Sequence, residues 1–90
     1  MRQYNLETRY DSRKSFYGKA VVKTEDEKVF TLYSYNTKVC EIDNDTVRLY
    51  NVTNLFSSTT LRHIKEFLKQ HNFKADSKAQ IENDYELVEV

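Results

Sequence analysis

Ninety residues carrying 14 basic and 14 acidic side chains make one small domain of zero net charge, a balance that predicts neither the strongly basic face of a nucleic-acid binder nor the acidic excess of a whole-surface DNA mimic. One cysteine, Cys40, excludes an internal disulfide framework, and no apolar run reaches the roughly 20 residues of a membrane span. Met1-Arg2-Gln3 leads into no signal-peptide core, so a reducing cytoplasm is the expected setting.

The chain opens with Met1 to Tyr10, whose weak alternation fits a short edge strand or an ordered arm. After a polar turn at Asp11 to Lys14, Ser15 to Thr24 alternates, with Phe16, Gly18, Ala20 and Val22 on one face, which predicts a half-buried strand. Gly18 is the chain's one glycine and, inside a strand, marks a bulge or the close approach of another group. A charged link at Glu25 to Lys28 and a second strand at Val29 to Tyr35 complete an antiparallel hairpin. Asn36-Thr37 reads as a turn, Lys38 to Ile42 as a third strand, Asp43 to Asp45 as a turn built from self-bonding side chains, and Thr46 to Val52 as a fourth strand.

Residues 57–72 form the main amphipathic helix. Leu61, Ile64, Phe67, Leu68 and His71 recur at helical spacing, while Lys65, Glu66, Lys69 and Gln70 fall opposite. Ser57 to Thr60 supply N-cap hydroxyls, and Asn72 tolerates the left-handed conformation that closes a helix. Phe73 is expected to tuck back on the core, and Asp76 or Ser77 to cap a short second helix near 77–83 anchored by Ile81. Tyr85 to Val90 alternates like a strand, but acidic side chains and the terminal position favour fraying of the 84–90 tail. The expected fold is α+β: about four antiparallel strands in a meander, with the helix packed on one face.

Chemistry-bearing patterns are sparse. His63 and His71 stand about 12 Å apart along the helix, too far to share a metal ion, and no CxxC or HExxH spacing occurs. Cys40, between Val39 and Glu41 in a strand, reads as a structural thiol. No cofactor, metal site or catalytic group is expected. Two surface features remain. At the helix start, Thr59, Thr60, Arg62 and His63 suit either an anion or simple capping with a solvated face. At the basic turn, Arg13 and Lys14 lie between Tyr10 and Tyr17, and read either as a contact surface or as solvated side chains. Seven tyrosines and five phenylalanines fit strand positions, although tyrosine is also an interface residue.

Three stretches, Tyr10–Ala20 (YDSRKSFYGKA), Thr31–Ile42 (TLYSYNTKVCEI) and Ser57–Phe73 (SSTTLRHIKEFLKQHNF), together resemble a family of short, largely uncharacterised phage and prophage proteins of Firmicutes. The resemblance spans about residues 10–83. It carries no catalytic residue, and its recurring positions map to Tyr10, Ser12, Phe16, Tyr17, Gly18, Lys19, Tyr33, Tyr35, Asn36, Thr37, Thr60, Arg62, His63 and Phe67. What it implies is a non-enzymatic protein in the host bacterial cytoplasm that binds and inhibits a host protein, most concretely an anti-CRISPR inhibitor of a type II nuclease. The binding surface then comprises Arg13, Lys14, Tyr17, Tyr35, Asn36, Thr59, Thr60, Arg62 and His63. The alternatives are a small nucleic-acid-binding module and a binder of a small anionic ligand at the helix N-terminus. A free strand edge also leaves room for a homodimer.

Overall fold

The computed structural model describes residues 2–12, 15–50 and 58–88. Six strands form one sheet in the order of the chain: β1 (Arg2–Asn5), β2 (Ala20–Thr24), β3 (Val29–Ser34), β4 (Thr37–Asp43), β5 (Thr46–Tyr50) and β6 (Glu86–Val88). Neighbours through β5 are antiparallel; β6 alone runs parallel to β5. That one parallel pairing needs a crossover. Helices α1 (Ser58–Gln70) and α2 (Lys78–Asp84) lie within it. The α+β reading holds, with an edge strand added on each side of the expected four.

The core follows from alternation. Ala20, Val22, Leu32, Cys40, Ile42, Val47 and Leu49 point to the helical side and are buried with Ile64, Phe67 and Leu68 of α1 and Ile81 of α2. Each such aliphatic or aromatic side chain contributes about 1.5–3 kcal/mol when buried. Leu6 and Phe16, from the connection between β1 and β2, complete the cluster at one end. The opposite face carries lysine over tyrosine, with Lys23 on Tyr33 (4.5 Å) and Lys38 on Tyr50 (4.1 Å), beside Arg48 paired to Glu41 and Glu86.

Simple alternation fails in two places. Residues 15–19 form a turn instead of the first half of a long strand, because Tyr17 and Gly18 both adopt positive φ. Gly18 is therefore a conformational requirement and not a packing one: a Cβ there would meet nothing within 4 Å. In β4, Leu32 pairs with Cys40 but Tyr33 pairs with Lys38, leaving Val39 as an extra residue. That bulge turns Val39 and Cys40 both inward.

The helix ends obey local rules. Asn72 (φ 66°) closes α1 in a Schellman motif, with the Phe73 N–H donating to Leu68 O (2.9 Å) and the Asn72 N–H to Lys69 O (3.1 Å). Phe73 packs on the core as expected. Ser77 caps α2 by accepting from the Gln80 N–H. Ser57, the first of the expected capping hydroxyls of α1, and residues 51–52 of the fourth strand lie outside the described residues.

Candidate functional site: a tyrosine corner over a buried histidine

Two tight turns meet at one end of the sheet. The first is closed by the Lys19 N–H donating to Phe16 O (2.9 Å), with Tyr17 (φ 52°) and Gly18 (φ 76°) at its centre. Ser15 Oγ accepts the Tyr17 N–H and holds the turn from before. The second joins Ser34 to Thr37 between β3 and β4, with Tyr35 (φ 51°) and Asn36 (φ 68°) at its centre. Two residues at positive φ match the right-handed twist of a hairpin, which is why Asn-Gly usually occupies them. Here tyrosine stands in the first central position both times. The Tyr35 N–H donates to Lys19 O (2.9 Å), locking one turn to the other.

For a side chain with a Cβ, the left-handed conformation costs roughly 1–2 kcal/mol. Both tyrosines bear that cost while remaining mostly in solvent, Tyr17 at 76% and Tyr35 at 53% exposure. Non-glycine residues held in the left-handed region cluster at ligand clamps and other functional sites.

Beneath the corner lies His63 of α1, fully buried. Its Nδ1 shares a 2.8 Å hydrogen bond with Ser34 Oγ, which also lies 3.3 Å from Thr60 Oγ1. The Phe16 ring meets the imidazole edge-on (4.5 Å), and the Tyr35 ring lies 5.8 Å away at 31°. The Nε2 atom has no hydrogen-bond partner among the described residues. Burial pushes the His63 pKa down to about 4, partly opposed by the Asp11 carboxylate, so the ring is neutral at pH 7. Ser34 is buried too, at 3% exposure. The trio therefore pins α1 to β3 and supports the Tyr35 turn from below.

A second constellation adjoins it. Glu66, on the same helix and 1% exposed, turns one carboxylate oxygen to three successive backbone amides, those of Arg9 (3.0 Å), Tyr10 (2.9 Å) and Asp11 (3.0 Å). Its other oxygen accepts from Gln70 Nε2 (2.6 Å), which also donates to Glu7 O. Arg62 pairs with Asp11 at 3.1 Å. The segment after β1 is thereby wrapped over α1, leaving a cavity of about 50 Å³ lined by Tyr10, Asp11, Arg62, Lys65, Glu66 and Lys69.

The structure gathers Tyr17, Tyr35 and Asn36 on the surface, with Thr60 and His63 directly beneath them and buried. Thr59 is half-buried at the start of α1, and Arg62 is half-exposed beside Asp11. The Thr60 hydroxyl turns inward to Ser34 and away from any anion in solvent. Arg13 and Lys14 lie outside the described residues. Sequence spacing misplaced Glu66, which it put on the solvent side. It also passed over Ser34, whose inward position in β3 was the available signal. Cys40 is buried and its thiol pKa raised by desolvation, as a structural cysteine requires.

Fold and corner together define a small single-sheet α+β domain that presents aromatic turns over a neutral, buried histidine. The chain belongs to a protein family of unknown function, DUF8033, which it matches over residues 4–83. No curated protein and no solved structure matches it.

Proposed function

We propose that this protein is a non-enzymatic binding module that docks a protein partner through Tyr17, Tyr35 and Asn36, with the buried Ser34–Thr60–His63 trio holding that surface in shape. The observation that carries the reading is the pair of solvent-exposed tyrosines in left-handed conformation on turns hydrogen-bonded to one another. Tyrosine offers a large amphipathic contact area and loses little entropy when fixed, since it has two side-chain torsions. Turns already locked by backbone bonds reduce the ordering cost of association further. The partner implied by the phage-protein resemblance is a host factor, most concretely the guide-loaded nuclease of a type II CRISPR system, which the protein inhibits in the bacterial cytoplasm.

Affinity purification of the tagged protein from a Firmicute host carrying such a system tests this reading. A stoichiometric partner retained by the wild type and lost with Tyr17→Ala/Tyr35→Ala is the expected result. Equal retention by the double variant removes the corner from the interface, and a bait free of protein refutes the binding module itself.

A further inference from the structure

Among the described residues, six of the twelve lysines and arginines pair with carboxylates. Arg2 pairs with Glu27, Lys38 and Arg48 with Glu41, Lys74 with Asp76 and Lys78 with Glu82. Lys19, Lys23 and Lys28, on β2 and the turns beside it, do not pair among the described residues, and three more cations without an ion pair stand on the 9–11 segment and the facing helix α1. Both acids there are engaged, Asp11 by Arg62 and Glu66 by three amides and Gln70. Lys65 and Lys69 line the same cavity without an ion pair among the described residues, and neither does exposed Arg9 have one. Tyr10, 60% exposed, forms the cavity's aromatic wall.

From this we infer that the groove between Tyr10 and α1 takes an extended acidic segment of the protein partner. The inference rests on the protein-binding reading above and adds the chemistry of what is bound. Lys65 and Lys69 are one helical turn apart, a rise of about 6 Å. Carboxylates at alternate residues of an extended strand stand about 6.6 Å apart, so two successive ones on the same side reach both ammonium groups. Three cations without an ion pair, beside a Glu66 carboxylate whose charge its neutral donors leave in place, match one or two carboxylates. They fall short of the 6–10 phosphate contacts of a strong electrostatic nucleic-acid binder, and the chain as a whole supplies no positive field to attract a polyanion. Arg62 stays with Asp11 and shapes the groove floor.

The probe is a fluorescein-labelled decapeptide of alternating Glu and Ser, titrated by anisotropy and by 15N-resolved NMR, with a dT10 oligonucleotide in parallel. Peptide-induced shifts should cluster at Tyr10, Lys65 and Lys69. Affinity should fall at least tenfold in K65E/K69E and severalfold in K65Q/K69Q, whose amide spectra verify folding. Lys28→Glu, which reverses an exposed lysine on the β2–β3 turn, should leave affinity unchanged. The peptide titration reads the groove alone, whereas capture of the partner by Tyr17→Ala/Tyr35→Ala reads the tyrosine corner, so the two can fail separately. Affinity insensitive to the Lys65 and Lys69 changes, shifts spread over the whole surface, or tighter binding of dT10 at the same amides would each overturn the assignment, the last in favour of nucleic acid.

Discussion

Removing the Glu66 side chain probes how the arm is held. Its carboxylate is the shared acceptor for the Arg9, Tyr10 and Asp11 amides. Hydrogen bonds to a charged group contribute about 1.5–3 kcal/mol each, against about 0.5–1.5 for neutral ones. Glu66→Gln keeps one acceptor oxygen but loses the charge and turns an NH2 group toward the Gln70 donor. Because three bonds to one atom are not additive, we expect a loss of about 2 kcal/mol, equivalent to roughly 8–16 °C in thermal midpoint for a domain of this size. Glu66→Ala should cost more, but its cost is capped: once undocking the arm is cheaper than burying three unpaired amides, segment 7–12 leaves α1 and its amides return to water. Urea titration measures the stability change, and native-state hydrogen exchange identifies the segment. Arg9, Tyr10 and Asp11 should lose protection in Glu66→Ala while the amides of β3 and β4 keep theirs. Retained protection at those three amides, with stability within about 0.5 kcal/mol of wild type, would refute the Glu66 carboxylate as the arm's anchor.

Three further outcomes follow from the same geometry. The His63 pKa is depressed from 6.5 to about 4 in the fold, so between these values the unfolded chain takes up a proton that the native one does not. Stability is fully present above pH 6.5 and should fall by up to about 3 kcal/mol as pH drops to 4; in His63→Leu, urea midpoints should lose this part of the acid sensitivity. Gly18→Ala should destabilise by about 1 kcal/mol through backbone conformation alone, since the space around it is open, and Gly18→Asn should recover much of that in thermal melts. Cys40 should react with Ellman's reagent only at the rate of opening or unfolding, because the thiol is fully buried and its pKa raised.

The elements that could be read from sequence were those governed by local chemistry. Helical spacing around Ile64 and Phe67, the Asn72 end of α1, the Ser77 cap and the Asn44 turn each need only nearby residues. The chain was harder to read wherever a distant group decides the outcome. Ser15 to Thr24 alternates throughout, yet Tyr17 and Gly18 turn over because Phe16 must reach His63 and the Lys19 carbonyl must meet the Tyr35 amide. Glu66 looks like a solvent residue until the backbone of residues 9–11 arrives to satisfy it. The Val39 bulge breaks the period of two on which strand faces are read. For the site, Tyr17, Tyr35 and Asn36 were visible as aromatic and polar residues near turns, but their strained backbone, which gives the corner its character, shows only in three dimensions.

The central claim is that Tyr17 and Tyr35 occupy left-handed positions for contact and not for folding. The most direct test is the double variant Tyr17→Asn/Tyr35→Asn, measured for thermal midpoint and for affinity toward the captured partner. Asparagine tolerates positive φ better than tyrosine, so the account predicts an unchanged or raised midpoint together with at least a tenfold loss of affinity. Retained affinity, or a midpoint that falls along with binding, would contradict it and make the tyrosines part of the scaffold.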